Sequence, residues 1–137
     1  MMIIKYRAWD KETKTMYYQN NLNCFVINGN NGMGWVLWKT SDICKNNLQP
    51  IAGCGTGHLM QFTGVCDIHG TQIYYSDIVF AKHWNPKYQE VTFDRGGFCL
   101  KYPGSQYYHD IKYAEQMEVV GNIYQNTELL KLNNKKE

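Results

Sequence analysis

The segment Leu59 to Phe80, LMQFTGVCDIHGTQIYYSDIVF, sets the tightest limit on what this chain can fold into. Two short apolar runs flank a turn closed by Gly70, and Ser76-Asp77 then launches Ile78-Val79-Phe80. Short β-prone runs bounded by Gly, Asn, Asp and Ser read as strands joined by tight turns. The rhythm continues downstream. Ile78 to His83 predicts a strand, Trp84-Asn85-Pro86-Lys87 a turn, and Gln89 to Phe93 the returning arm. Asp94-Arg95-Gly96-Gly97 turns again into Phe98 to Tyr102, which completes a meander. Strands at intervals of about 8–12 residues with Gly-marked turns point to a barrel or sandwich, not to βαβ units.

The flanking regions fit the same class. Ile3 to Trp9 alternates as a strand, Asp10 to Lys14 turns, and Thr15 to Tyr18 returns as the second arm of a hairpin. Cys24 to Ile27 and Trp35 to Trp38 read as paired strands across an Asn/Gly-rich turn. Ser41 is placed to cap a short helix, which Pro50 and the glycines at 53, 55 and 57 would stop. Met117 to Tyr124 predicts a last strand, and Thr127 to Leu130 about one helical turn. The expected architecture is mainly β: an N-terminal β portion with a variable loop region over 1–57, an SH3-like barrel over 58–131, and a frayed Asn/Lys tail over 132–137.

Length and composition bound the function classes. A chain of 137 residues supports one domain, or one with a smaller appended unit. Net charge is only +2, which suits a dedicated nucleic-acid binder poorly. The five cysteines follow no regular framework, and no secretory or membrane-spanning segment is visible, so the expected setting is a reducing cytoplasm. With 11 Tyr, 5 Phe and 4 Trp, the chain has aromatic side chains enough for both a β core and an interface. That excess, with the open edges of a partly closed barrel, predicts a homo-oligomer of low order.

The candidate chemistry is thin. Cys54, His58, Cys66 and His69 offer a donor set that zinc accepts, but their spacing is not that of a zinc finger and two of them sit at a turn. Cys99 with His83 or His109 would need a base in hydrogen-bond reach, and nothing in the sequence places one there. Asp77, Glu90, Asp94, Asp110, Glu115 and Glu118 are scattered. Asp77 is better explained as a turn-fixing acceptor of backbone N–H groups. Gly53 to Gly57 lacks the Lys-Ser/Thr ending of a phosphate loop. No catalytic residue, cofactor or metal is expected. The residues with the best prospect of forming a binding face are Arg7, Trp9, Lys82, Trp84, Tyr88 and Lys101, aromatic and basic groups of the kind that stack on single strands or anchor interfaces.

Four motifs taken in order resemble the YopX-like proteins of bacteriophages and prophages. They are Ile4 to Lys11 (IKYRAWDK), Leu59 to Gly64 (LMQFTG), Ile73 to Val79 (IYYSDIV) and Val120 to Asn126 (VGNIYQN). The stretch from Gln19 to His58 does not share the likeness. The family usually has tyrosine-glutamate-glycine-aspartate where this chain has Tyr74-Tyr75-Ser76-Asp77, and proline where Thr127 stands. The resemblance implies a C-terminal SH3-like barrel with a smaller N-terminal β portion, encoded by a phage or prophage, and no catalytic residues. Arg7, Trp9, Asp10, Asp77, Gly121 and Asn122 match motif positions. The leading functional expectation is a non-enzymatic module that binds a host or phage protein. The alternative is a barrel that binds single-stranded nucleic acid, and an enzyme acting on a small metabolite stands third.

Overall fold

The structure, a computed structural model, describes residues 4–20, 23–28, 34–39, 52–54, 58–102 and 108–134. Among these the fold is mainly β, and the helical residues form two 3-10 segments. The chain divides into two compact units. One takes Lys5–Gln61, the other Phe62–Glu137 together with Met1–Ile4. The short helix expected after Ser41, the glycines at 55 and 57, and the loop around Pro103 lie outside the described residues.

In the unit Lys5–Gln61, β1 (Tyr6–Asp10) and β2 (Thr15–Tyr18) form the expected hairpin, in register from Arg7 opposite Tyr18 to Asp10 opposite Thr15. Asp10 makes the turn. Its Oδ1 accepts the amides of Glu12 at 3.0 Å and Thr13 at 3.5 Å, and Lys14 follows with φ 54. Strands β3 (Asn23–Asn28), β4 (Gly34–Lys39) and β5 (Ala52–Cys54) build a three-stranded antiparallel sheet. The predicted partnership is the one formed, with Phe25 opposite Leu37. Ala8 and Leu37 are buried, and Tyr17, Phe25 and Leu59 pack around them.

Strand β6 (Leu59–Cys66) runs through the division. Leu59 to Gln61 pair with β1, and Phe62 and Cys66 pair with β7 (Gln72–Tyr74).

The other unit is built on β8 (Asp77–Phe80), β9 (Tyr88–Asp94), β10 (Gly97–Lys101), β11 (His109–Asp110) and β12 (Glu118–Asn122). They form one antiparallel sheet in the order β11-β10-β9-β8-β12, curled into a half-barrel. Val79, Val91 and Leu100 of this sheet form one buried cluster with Ile73, Ala114 and Met117. Each aliphatic side chain taken fully out of water stabilises the fold by roughly 1.5–3 kcal/mol, so this cluster dominates the unit.

Polar side chains fix the connections. Asp67 closes its own turn and ties it to β12: its Oδ1 accepts the amides of His69 and Thr71 at 2.8 and 2.9 Å, and its Oδ2 accepts that of Val119 at 2.9 Å. Asp77, buried, accepts the Tyr74 amide at 2.8 Å and so closes the turn through Ser76 as expected. Asn122 caps the last turn by accepting from Tyr124 and Gln125, both at 3.0 Å.

Two boundaries differ from expectation. The strand predicted to run to His83 stops at Phe80. The Ala81 amide donates to Lys87 O at 2.9 Å and the Trp84 amide to Ala81 O at 3.2 Å, folding residues 81–87 into a broad turn that includes a cis Asn85–Pro86 bond. The terminal 3-10 segment runs Thr127–Asn134, so Leu132 to Asn134 are structured and not a solvent tail. Leu130 is buried there, which supplies the reason.

Candidate functional site

The broad turn 81–87 lines two adjoining depressions in the surface. They share Phe80 and Trp84. One, of about 490 Å³, is lined by those two residues with Asn85, Pro86, Lys87, Tyr88, Leu132 and Asn133. The other, of about 380 Å³, continues over Ala81, Lys82 and His83 to Met117 and Glu118, with Ile68 and His69 on its rim. Apolar clefts of a few hundred Å³ with a few convergent polar groups are the usual form of a binding site.

Trp84 is held from several sides. It is half-buried against the core cluster, its ring meets His109 edge-on at 5.0 Å between centroids, and it lies 5.3 Å from the ring of Tyr113. Behind it sits Gln89, fully buried, whose Nε2 donates to Pro86 O at 3.3 Å. That leaves Gln89 Oε1 facing His109 Nδ1 at 3.0 Å, so Nδ1 is the nitrogen that carries hydrogen. Gln89 therefore ties the proline of the turn to the imidazole beneath the tryptophan. Phe80 and Tyr88, opposite each other on β8 and β9, pack at 4.9 Å.

The six residues expected to form a binding face differ in exposure and placement. Arg7 and Trp9 are buried, 6% and 8% exposed, and belong to the other unit, so neither presents a ring or guanidinium for stacking. The strand period put Trp9 on the same side as Arg7 without showing that this side is covered. Lys101 lines neither depression. It stands opposite Glu90 on the neighbouring strand, with its Nζ 5.5 Å from the Tyr108 ring centroid. Burial pushes the Glu90 carboxyl above its ordinary value, and the Lys101 charge offsets part of that. Lys82, Trp84 and Tyr88 are the ones gathered at the clefts. Phe80, Pro86, Gln89 and Asn133 were missed. Proline in a turn gave a partial signal, whereas the placement of Asn133 depends on contacts 45 residues away along the chain.

The other candidate chemistry does not assemble among the described residues. No three His, Cys, Asp or Glu side chains converge there as a metal site, and the Cys54 side chain lies outside them. Cys66 is exposed, and the His69 imidazole lies 3.9 Å from the Glu118 carboxylate, a pair and not a metal-ligand set. Burial first, then the charge of Asp94, pushes the Cys99 thiol up, which works against a nucleophilic thiolate. Among the described residues no helix is long and apolar enough to cross a membrane.

The motif residues have structural work. Asp10, Asp77 and Asn122 each fix a turn, and Gly121 lies directly under Asn126.

Comparison with curated proteins gives no match. Among solved structures, the crystal structure of protein EF1440 from Enterococcus faecalis is similar, with a TM-score of 0.62 at 22% identity. That alignment covers 95% of this chain and 99% of that one, and it shows a shared fold. A family model described as YopX protein matches residues 5–131, and the chain therefore belongs to the YopX family.

Proposed function

We propose that this protein is a phage- or prophage-encoded, non-enzymatic interaction module that binds another protein through the paired clefts around Trp84. The observation that carries the reading is the pair of adjoining depressions sharing Phe80 and Trp84, with exposed Lys82 on one rim and Tyr88 in the other. A half-buried tryptophan braced by His109, Tyr113 and the core is a rigid anchor with little conformational entropy left to lose on binding. Near-neutral net charge and a mixed apolar and polar lining suit a protein surface better than a phosphate backbone.

Affinity capture from infected host lysate tests this, run with and without nuclease and with a Lys82→Glu, Lys87→Glu double variant beside the wild type. The reading predicts a defined protein that survives nuclease and is lost with the double variant. Recovery of nucleic acid alone, with retention falling steeply as salt rises, would replace it with the single-strand-binding alternative.

A further inference from the structure

The hairpin of β9 and β10 carries an apolar face past the point where the fold covers it. Val91 opposite Leu100 and Phe93 opposite Phe98 are successive pairs on one side of the two strands. The first pair is fully buried in the core cluster. Phe93, two residues further out, is 53% exposed, with its ring edge-on to that of Phe98 at 5.2 Å. The two-residue loop Arg95-Gly96, at φ 51 and 84, is the tight turn that keeps the two strands in register at this tip. Beside the knob lies a notch. Strand β11 pairs with β10 only at Cys99 and Leu100, and next to that short pairing is a depression of about 310 Å³. Gly97, Phe98 and Tyr108 line it together with Arg95 and the carboxylates Asp94 and Asp110. His109 also borders it, with Nδ1 already tied to Gln89, and Lys101 stands 5.5 Å from the Tyr108 ring centroid.

We infer that this hairpin tip is a self-association face: in a two-fold pair of chains, Phe93 of each copy enters the notch of the other, and Arg95 of each meets the other's Asp94 and Asp110. The surface is distinct from the clefts at Trp84, so the inference goes beyond the protein-binding reading and does not depend on it. A second copy of the chain is the occupant for two reasons. Knob and notch belong to the same hairpin, so what one copy presents the other receives, which is the condition for an isologous contact. The charges are self-complementary as well. Exposed Arg95 stands next to the knob and two carboxylates border the notch, and neither Arg95 nor Asp94 forms an ion pair with another described residue. The contact is one hairpin end from each chain, which places the association at the weak end for specific interfaces, with a Kd of about 100 µM.

Sedimentation equilibrium of the full-length protein tests this, over a concentration series reaching about ten times that Kd. The wild type is expected to show a reversible monomer–dimer equilibrium. Phe93→Ser should weaken it by about tenfold or more, the loss of an apolar anchor from each side. Arg95→Glu and Asp94→Lys should each weaken self-association by a similar factor, because each sets like charges across the contact. An equimolar mixture of those two variants should associate again, since one tip is then acidic and the other basic at positions 94 and 95. That recovery also shows that both variants are folded. The cleft variant Lys82→Glu, Lys87→Glu should dimerise as the wild type does. A wild type that stays monomeric throughout the series, a dimer indifferent to Phe93→Ser, or a mixture of the charge variants that stays monomeric overturns the inference. Loss of the dimer in the cleft variant also overturns it, because self-association would then belong to the surface around Trp84.

Discussion

Asn126 lies so close over Gly121 that a Cβ on the glycine would fall inside the asparagine side chain. The contact is part of a knot of polar bonds. Asn126 Oδ1 accepts the Asn122 amide at 3.2 Å, the Asn126 amide donates to Asn122 O at 2.8 Å, and Asn122 Nδ2 donates to Gln125 Oε1 at 2.7 Å. Strand β12 also shifts register against β8 between Val119 and Gly121. The Val-Gly-Asn-Ile-Tyr-Gln-Asn motif is thus a device for ending the last strand.

Gly121→Ala is accordingly expected to cost about 2–3 kcal/mol, in the range of overpacking a tight site. Urea denaturation measures it. In an Asn126→Gly background the same substitution should cost clearly less, because the colliding side chain is gone from its Cβ outward, and additive costs would contradict the contact.

Asp67 sets a pH dependence. Burial raises its carboxyl, but amide donors at Val119, Thr71 and His69 outweigh that and hold it below its ordinary value of 3.8. A carboxyl depressed in the folded state lends stability that is complete above the unfolded value and is lost as pH falls through the lower folded value. Asp67→Asn should cost about 2 kcal/mol at neutral pH, the scale of hydrogen bonds to a charged group. The difference from wild type should shrink only below about pH 4. A gap that narrows between pH 7 and pH 5 would assign the effect to another group.

Ser76 occupies a left-handed conformation, φ 75, while its amide donates to Val91 O at 2.9 Å and its carbonyl accepts from Ile123 at 3.0 Å. Those bonds fix the backbone whatever the side chain. Ser76→Gly is expected to leave stability unchanged or to raise it by up to about 1 kcal/mol, since relief of strain offsets the extra chain entropy of glycine. Ser76→Val should lose about 2 kcal/mol or more, because a β-branched residue tolerates positive φ worst. Thermal unfolding of the pair decides it; a glycine variant much less stable than wild type would contradict the strain.

Gln89 holds the Trp84 turn from beneath. Gln89→Leu leaves Pro86 O and His109 Nδ1 without this partner and should cost about 1–3 kcal/mol. It should also shift the Trp84 indole N–H resonance, and an unmoved indole signal would mean that the turn is positioned without Gln89.

Much of the fold was legible because its signals are local. Asp10 and Asp77 announce turns by their own chemistry, and the pairing of Cys24 to Ile27 with Trp35 to Trp38 follows from two β-prone runs across an Asn/Gly turn. The family's glycine position at Ser76 shows why a turn was needed there: the backbone is left-handed. The candidate site was legible only in part. Lys82, Trp84 and Tyr88 were found through their residue types, yet strand alternation extended β8 through His83 because Ala81-Lys82-His83 carries no breaker. Arg7 and Trp9 misled because alternation assigns sides without saying which side is covered. Asn133 was invisible, since its hydrogen bonds to the Tyr88 main chain join positions 45 residues apart in the sequence.

The most direct test of the protein-binding reading is photo-crosslinking in infected host cells from p-benzoylphenylalanine placed at position 82, on the cleft rim, and separately at position 95, in the exposed turn after β9. The account predicts a discrete protein adduct from position 82 that is absent from position 95. Nucleic-acid adducts at position 82, or the same adducts from both positions, would contradict it.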